Sequence, residues 1–213
     1  MVDKVAVVVP VGWGRWYELA DFLGWVSAAA RAVYVVSEES TPPSWDHVVH
    51  VPCGPGKNIP AWWNAGLAAA REDGYRFVTW AETDVVLPPD ELVAMAEALD
   101  SECLAMVGPD FFQTGNHAVR REPGAVPVLE RIAQCFLVDA SRVDARMDPR
   151  FTWWYADADL EWRLRKEGGT RLVHAPRSSH PVHGTTPVSG ELARVVERDR
   201  EHFHAKWGGA FAY

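Results

Sequence analysis

Two acidic residues separated by one position follow an apolar run in the middle of the chain. Glu82 and Asp84 flank Thr83 directly after Phe77–Trp80, a segment that the apolar pattern predicts as a buried strand. Because residues two apart on an extended chain point to the same side, both carboxylates can converge on one ligand. Carboxylate oxygens suit Mg²⁺ or Mn²⁺, which proteins hold with one or two carboxylates and substrate phosphates. The structural alternative is a solvated loop that caps the next helix.

A second acidic pair, Asp157 and Asp159, opens an amphipathic segment and follows the aromatic residues Trp153, Trp154 and Tyr155. Helix N-termini favour anions, so helix capping accounts for one of the carboxylates. The chemical alternative is a general base at the edge of an aromatic-lined cleft. The pattern alone does not choose between these two roles or between the two acids.

His180 and His183 lie three positions apart in a loop that follows a predicted strand and ends at Gly184. Imidazole is a common ligand of transition-metal ions, and its charge changes close to neutral pH. The pair is therefore a candidate metal ligand or phosphate contact, and the spacing leaves open which histidine contributes. Ordinary surface residues are the alternative.

Several nucleotide-binding and hydrolase motifs are missing from the sequence. Gly12 and Gly14 would begin a dinucleotide fingerprint, but Tyr17 occupies the third glycine position. Gly56 and Lys57 lack the upstream glycine of a P-loop and the Ser or Thr that follows its lysine. No HExxH or GxSxG segment occurs. These observations argue against Rossmann dehydrogenases, P-loop kinases, zinc proteases and α/β-hydrolases.

Strand and helix patterns must position these residues, and they alternate through the first half of the chain. Such alternation predicts βαβ units and a mostly parallel sheet, whose ligands bind beyond the carboxyl ends of the strands. The second half is less regular, and residues 106–124 are predicted to be rich in loop. The predicted strands are Val5–Val9, Val33–Val36, His47–Val51, Phe77–Trp80, Ile132–Val138 and Arg171–His174, and the predicted helices are Tyr17–Arg31, Ile59–Glu72, Pro89–Leu99, Asp157–Lys166 and Glu191–Trp207.

The composition is that of one globular α/β domain. With 213 residues, of which 48% are hydrophobic and 23% charged, the chain can bury a full core. The net charge of -8 argues against a general binder of nucleic acids or anionic membranes. Three scattered cysteines favour a reducing, cytoplasmic compartment. No apolar run reaches the ~18 residues of a membrane span. Any membrane contact is therefore expected to be peripheral, through the aromatic C-terminus Phe203–Tyr213, for which ordinary packing is the alternative.

Taken in order, these segments resemble the family 2 glycosyltransferases with the GT-A fold, over about residues 4–207. The family's first strand ends in proline, its second ends in acidic residues, and an Asn-x-Gly helix and a DxD motif follow. The matching positions are Pro10, Glu38, Asn64 and Glu82-Thr83-Asp84, then Phe151, Tyr155, Asp157, Asp159, Leu160 and Arg163 of an aromatic and acidic block, and Pro176 through His183-Gly184 of a final segment.

The sequence departs from the family pattern at three places. Glutamate stands at the first acid of the DxD motif, and Ala156 replaces the acid that precedes Asp157. The first loop carries Gly12-Trp13-Gly14 where the family commonly has a Thr-Tyr-Asn type of segment. The last departure leaves the nucleotide preference open.

The resemblance implies a single GT-A domain, an α/β fold with a mostly parallel sheet flanked by helices, in which residues 1–100 hold a nucleoside-diphosphate sugar and residues 101–213 hold the acceptor. Asp84 and Glu82, with His183, would hold Mn²⁺ or Mg²⁺. Asp157 would deprotonate an acceptor hydroxyl for in-line attack with inversion, and Asp159 is the second candidate for that base. The implied donor contacts are Pro10, Val11, Gly12, Glu38, Asn64, Glu82, Thr83, Asp84 and Trp154, and Trp153 is a further candidate for stacking on a sugar.

Two other functions fit parts of the pattern. A non-catalytic module that binds carbohydrate or sugar nucleotide would explain the Glu-for-Asp and Ala-for-Glu departures. A nucleotidyltransferase would share the sheet, but its first loop normally grips a triphosphate with several cations, and here Arg15 is the one cation in that loop. The sequence does not identify the donor sugar, and the acceptor hydroxyl could belong to a glycan, a lipid-linked sugar, a protein or a modified base.

Overall fold

The fold is built on one mixed sheet whose strand order is β3-β2-β1-β4-β6-β5-β7. The computed structural model describes residues 5–12, 16–26, 30–38, 44–54, 56, 58–180 and 189–208. Within these ranges the strands are β1 (Val5–Val11), β2 (Ala32–Ser37), β3 (Val48–Pro52), β4 (Phe77–Ala81), β5 (Met106–Pro109), β6 (Cys135–Asp139) and β7 (Thr170–Val173), and the α-helices are α1 (Trp16–Val26), α2 (Ile59–Glu72), α3 (Pro89–Ser101), α4 (Ala156–Glu167) and α5 (Gly190–Trp207).

Most strand pairs are parallel, as the alternating pattern predicted. β1 pairs in parallel with β2 and β4, β2 pairs with β3, and β5 pairs with β7. β6 is antiparallel to both of its neighbours, β4 and β5. Its first residue, Cys135, therefore lies beside Ala81, the last residue of β4. This arrangement brings the segment that precedes β6 next to the loop that follows β4.

The predicted elements agree with the structure except at three places. Residues 106–124, predicted as rich in loop and without a named strand, contain the strand β5, whose four residues Met-Val-Gly-Pro are too few for a recognisable pattern. The prediction for α1 extended to Arg31, but the helix is described only as far as Val26, and Arg31 lies in a bend. β6 begins at Cys135 instead of Ile132, and Ala133 and Gln134, which precede it, line the cavity described below.

Two apolar cores cover the two faces of the sheet, because strands that are buried on both sides carry continuous hydrophobic runs. Ala6 and Val8 of β1 point towards α2, α4 and α5, whereas Val7 and Val9 point towards α1 and α3. Phe203 of α5 is fully buried in the first core. The first of the C-terminal aromatic residues thus packs inwards, as the ordinary-packing alternative holds. None of the described helices combines the length and apolar composition needed to cross a membrane.

Gly66 allows α2 to approach the sheet closely. A Cβ atom at Gly66 would lie 2.3 Å from Val8 Cγ1 and 3.1 Å from Val36 Cγ2. Both valines are buried in the sheet and are branched at Cβ, so they cannot swing aside cheaply. The glycine of the Asn-x-Gly segment is therefore a packing requirement of this fold.

We expect Gly66→Ala to lower the free energy of unfolding by about 1–3 kcal/mol, the usual cost of overpacking a core. Gly24→Ala in α1 is the matched control, since its Cβ would meet no described atom within 4 Å. That variant should be neutral or stabilising by about 0.5–1 kcal/mol, because alanine favours helix. Urea unfolding of the two variants measures the difference, and equal stabilities would contradict the packing argument.

Candidate active site

The turn after β4 holds its two acids through backbone contacts. The Glu82 N–H donates to Gln134 O at 3.1 Å, and the Val85 N–H donates to Glu82 O at 3.1 Å. The Thr83 hydroxyl donates to Glu18 Oε2 at 2.9 Å, so Thr83 fastens the turn to α1. These contacts leave the side chains on either side of Thr83 partly open to solvent, with Glu82 42% exposed.

A second segment is tied to this turn by an antiparallel bridge. The Val86 N–H donates to Ser179 O at 2.9 Å, and the Ser179 N–H donates to Val86 O at 3.1 Å. Glu91, which is 5% exposed in the first turn of α3, accepts from the Arg177 N–H at 2.8 Å and from the Ser178 hydroxyl. The bridge and the buried carboxylate together fix the residues that lead into His180.

His180 lies between the two acids of the β4 turn. Its Nε2 is 3.4 Å from Asp84 Oδ1 and 3.6 Å from Glu82 Oε2. Burial lowers the pKa of His180, but the Asp84 and Glu82 carboxylates outweigh burial and raise it to about 9. The raised pKa reports the strong negative potential that a cation would experience at this point. His183, the other histidine of the sequence motif, lies outside the described residues.

Glu82, Asp84 and His180 fit a divalent cation. One ligand atom from each of the three side chains lies within 4.8 Å of the other two. Among the described residues, none gives the buried Nε2 of His180 a hydrogen bond of ordinary geometry. Two carboxylate oxygens and one imidazole nitrogen suit Mn²⁺ and leave coordination positions for phosphate oxygens. The sequence predicted the two acids and left open which histidine contributes, and the structure places His180 beside them. A metal contact by His183 stays a prediction.

Asp157 lies in the first turn of α4 and faces a cavity of about 100 Å³. Burial raises the pKa of Asp157 to about 6, against the opposing effect of the Ala158 N–H, which donates to Oδ1 at 2.9 Å. The negative charges of Glu161 and Glu82 raise it further. The cavity joins the base candidate to Glu82 of the β4 turn, because its walls include Glu82, Asp157, Trp153, Trp80, Gln134 and Met147.

Asp159, the second candidate for the base, is fully buried in a network with α5. Its Oδ1 lies 2.7 Å from Lys206 Nζ and accepts a hydrogen bond from Trp207 Nε1 at 2.8 Å. Arg163 Nε is 3.5 Å from Oδ2. These partners occupy both carboxylate oxygens, so the geometry favours Asp157 over Asp159 as a group that takes a proton.

The two adjacent tryptophans differ in position. Trp153 lines the cavity beside Asp157, whereas Trp154 packs against the first hydrophobic core. Their ring centroids are 5.9 Å apart. Trp153 is therefore the better placed of the two for contact with a ligand in the cavity, and a donor contact by Trp154 stays a prediction.

The remaining predicted donor contacts lie at the carboxyl ends of neighbouring strands. Pro10 and Val11 end β1, Gly12 follows, and Val11 is paired with the last residue of β2. Glu38 comes directly after β2 and accepts from the Gly56 N–H at 3.0 Å. These residues share the edge of the sheet that carries Glu82, and their contact with a nucleotide stays a prediction.

Asn64 has a structural contact inside the protein. Its Nδ2 donates to Met147 O at 2.9 Å, and its Oδ1 accepts from the Met147 N–H at 2.8 Å. Both polar atoms of the amide thus hold a wall residue of the cavity in place. A direct nucleotide contact of Asn64 stays a prediction beside this observed role.

Sequence reasoning did not single out Glu18, Glu91 or Asp199, although each holds a segment of the site. Glu91 follows the proline that opens α3, where an acid is already explained by the helix dipole. Glu18 and Asp199 lie within helices whose apolar spacing says nothing about their polar partners. The partners are far away in sequence, so no local pattern could have identified these residues.

Comparisons with known proteins identify the fold. No protein-family model and no curated protein matches the sequence. Among solved structures, glucosyl-3-phosphoglycerate synthase from Mycobacterium tuberculosis, in complex with Mn²⁺, UDP and glucosyl-3-phosphoglycerate, is similar with a TM-score of 0.64. It is 15% identical, over 98% of this chain and 81% of the synthase. A complex of that synthase with Mn²⁺, UDP and phosphoglyceric acid gives 0.62 at 14% identity, over 98% and 80%.

S. aureus TarS has a TM-score of 0.56 at 12% identity, over 83% of this chain and 59% of that one. Identities this low show the fold alone. This chain has the GT-A fold. The predicted fold class, a single α/β domain with a mostly parallel sheet flanked by helices, is confirmed, and membership of family 2 stays a prediction.

We expect wild-type protein to bind one Mn²⁺ ion and Asp84→Asn to bind it at least tenfold more weakly, because the substitution removes a charged ligand oxygen. Glu97→Gln is the matched control, since Glu97 is an exposed acid on α3. Isothermal titration calorimetry or the manganese electron paramagnetic resonance signal measures both. An unchanged Mn²⁺ affinity in Asp84→Asn would show that the cation does not bind at this cluster.

Proposed function

We propose that this protein is a metal-dependent, inverting glycosyltransferase that moves a sugar from a nucleoside-diphosphate sugar to an acceptor hydroxyl. The observation that carries the proposal is that three side chains able to hold a cation adjoin, through Glu82, the small cavity that contains a carboxyl with a raised pKa. Glu82 belongs to both groups, since it is one of the triad and also a wall of the cavity that contains Asp157. A sugar transfer needs both groups within the length of one substrate.

Glu82, Asp84 and His180 would hold the cation, and Mn²⁺ or Mg²⁺ bound there would act as a Lewis acid on the leaving diphosphate. The nucleoside would extend towards Pro10–Gly12 and Glu38, which follow the neighbouring strands on the same edge. In this arrangement residues 1–100 supply most of the donor site. The similar synthase was crystallised with UDP, so uridine diphosphate sugars are the first donors to test.

Asp157 would accept the proton of the acceptor hydroxyl as that oxygen attacks the anomeric carbon. A carboxyl with a pKa of about 6 is ionised at neutral pH and is a stronger base than an ordinary aspartate. Attack from the side opposite to the diphosphate inverts the configuration at the anomeric carbon. Trp153 would offer an aromatic face to a sugar in the cavity. Residues 101–213 would then supply the acceptor side of the site.

We expect Asp157→Asn to bind donor and Mn²⁺ as the wild type does and to transfer sugar at least about a hundredfold more slowly, the usual loss when a general base is removed. Asp144→Asn is the control, because Asp144 is an exposed acid paired with Arg146. Release of nucleoside diphosphate is measured with a panel of sugar nucleotides and acceptors, and donor binding is measured by calorimetry. Donor binding without transfer in the wild type would instead identify a non-catalytic module.

The pH dependence of transfer provides a separate test of the base. Asp157 acts when it is ionised, so kcat/KM should rise about tenfold per pH unit below its pKa and become constant above it. The bend is expected near pH 6, where burial places the pKa of this carboxyl. Measurements at saturating Mn²⁺ separate the base from loss of metal. A rate that stays constant down to pH 4.5 would contradict the assignment.

A further inference from the structure

One buried carboxylate on α5 binds three consecutive backbone amides before α4. Asp199 is fully buried, and its Oδ2 accepts from the N–H groups of Thr152, Trp153 and Trp154 at 3.0, 2.8 and 3.1 Å. Consecutive N–H groups that point at one oxygen form an anion-binding concavity. Here the anion is the carboxylate of Asp199, which lies 45 to 47 residues further along the chain than the three amides.

The segment held in this way is a wall of the candidate active site. It contains Trp153, which lines the cavity, and it leads through Tyr155, at φ 64°, into the first turn of α4. Its other side is also fastened, because the Ile59 N–H of α2 donates to Thr152 O at 3.0 Å. The segment therefore has little conformational freedom. Asp157 follows Trp154 by three residues, so its position is restricted as well.

α5 makes a second contact on the other side of the base candidate. Lys206 and Trp207 bind the buried carboxylate of Asp159, two residues after Asp157. Asp199 and Lys206 lie seven residues apart, which is two helical turns, so both face α4 from the same side of α5. Asp157 is thus placed between two points of attachment to one helix.

We propose that α5 is a clamp that sets the position of Asp157 and Trp153, with Asp199 as its main positioning residue. The inference rests on the proposed function, in which Asp157 is the base. Packing alone does not account for Asp199, because Phe203 already fills the apolar contact between α5 and α4. A buried carboxylate is unfavourable without hydrogen bonds, and Asp199 Oδ1 has no hydrogen-bond partner among the described residues, with Arg198 Nε 3.9 Å from it. The three amides therefore explain the position of this charge.

The experiment compares Asp199→Ala and Asp199→Asn with Glu201→Gln, an acid-to-amide control at an exposed position of the same helix. Alanine removes the acceptor of three hydrogen bonds, whereas asparagine can place its amide oxygen where Oδ2 lies. Hydrogen exchange of the amides of residues 152–154, followed by mass spectrometry, reports on the clamp in the absence of turnover. Steady-state kinetics with the donor found by the nucleotide screen reports on positioning.

The expected result is faster amide exchange at residues 152–154 in Asp199→Ala, a kcat at least tenfold below that of the wild type, and a donor KM within twofold of it. Asp199→Asn should have a kcat between those of Asp199→Ala and the wild type, two- to fivefold below the latter, since a neutral oxygen still accepts these bonds at about half the strength of a charged one. Glu201→Gln should match the wild type in exchange and rate. A purely structural role would lower the fraction of active protein and the melting temperature but leave the kcat of each folded molecule unchanged.

Two results would overturn the proposal. One is faster exchange at residues 152–154 with an unchanged kcat, and the other is unchanged exchange in Asp199→Ala. If Asp199→Ala does not fold, Asp199→Asn provides the test. We expect its kcat to be two- to fivefold below that of the wild type, and an unchanged kcat would refute the clamp. Failure of the proposed function is distinguishable, because it leaves Asp157→Asn fully active, whereas the exchange measurement still reports on α5.

Discussion

Repulsion between like charges is the constraint that the rest of this structure satisfies. Glu82, Asp84 and Asp157 share one edge of the sheet, and two unit charges about 4 Å apart near a protein surface repel each other by about 4 kcal/mol. The negative potential is visible at His180, whose pKa the Asp84 and Glu82 carboxylates raise. At Asp157 burial is the main cause of the raised pKa, and the charges of Glu161 and Glu82 add to it. Side-chain partners for all these acids would neutralise them and occupy their oxygens. The protein instead fixes the acidic segments through their backbones.

Those backbone contacts come from different parts of the fold. Glu82 is held through Gln134 O, the segment before His180 is held through Val86, and the segment before Asp157 is held through Asp199. The antiparallel direction of β6 is essential for the first of these, because it returns the chain to the edge where β4 ends. A fully parallel sheet would place that segment at the opposite edge. The reversed strand β6 thus brings Gln134 to the cavity.

The sequence predicted the elements whose residues repeat locally. β1, β4 and α2 have long apolar runs or regular spacing, so their positions and the acids that follow β4 could be read from the chain. β5 and the reversed direction of β6 could not, because a four-residue strand has no period and pairing direction is set by the whole sheet.

The same limit applies to the candidate site. Asp157 and Asp159 differ by two positions in one helix, and nothing in their spacing distinguishes a cavity from a buried ion pair. Lys206, which decides the role of Asp159, is 47 residues further along the chain. Asn64 and Met147 are 83 residues apart, and Glu91 and Ser178 are 87 apart. Contacts between residues this far apart in sequence produce no periodic pattern of residue types. Sequence reasoning therefore finds reactive residues more readily than the residues that position them.

The raised pKa of Asp157 also has a thermodynamic consequence. In the unfolded chain this carboxyl ionises near pH 4, and in the folded protein it ionises near pH 6, so folding becomes less favourable as the pH rises between these values and the cost persists above them. At neutral pH the folded state therefore keeps an ionised carboxyl where burial disfavours it. The aromatic contacts of Trp162, Phe203 and Trp207, with ring centroids 5.0 to 6.5 Å apart, join α4 to α5. Apolar packing between α4 and α5 thus offsets the cost of burying this carboxyl, and the helix that supplies this packing also supplies Asp199 and Lys206.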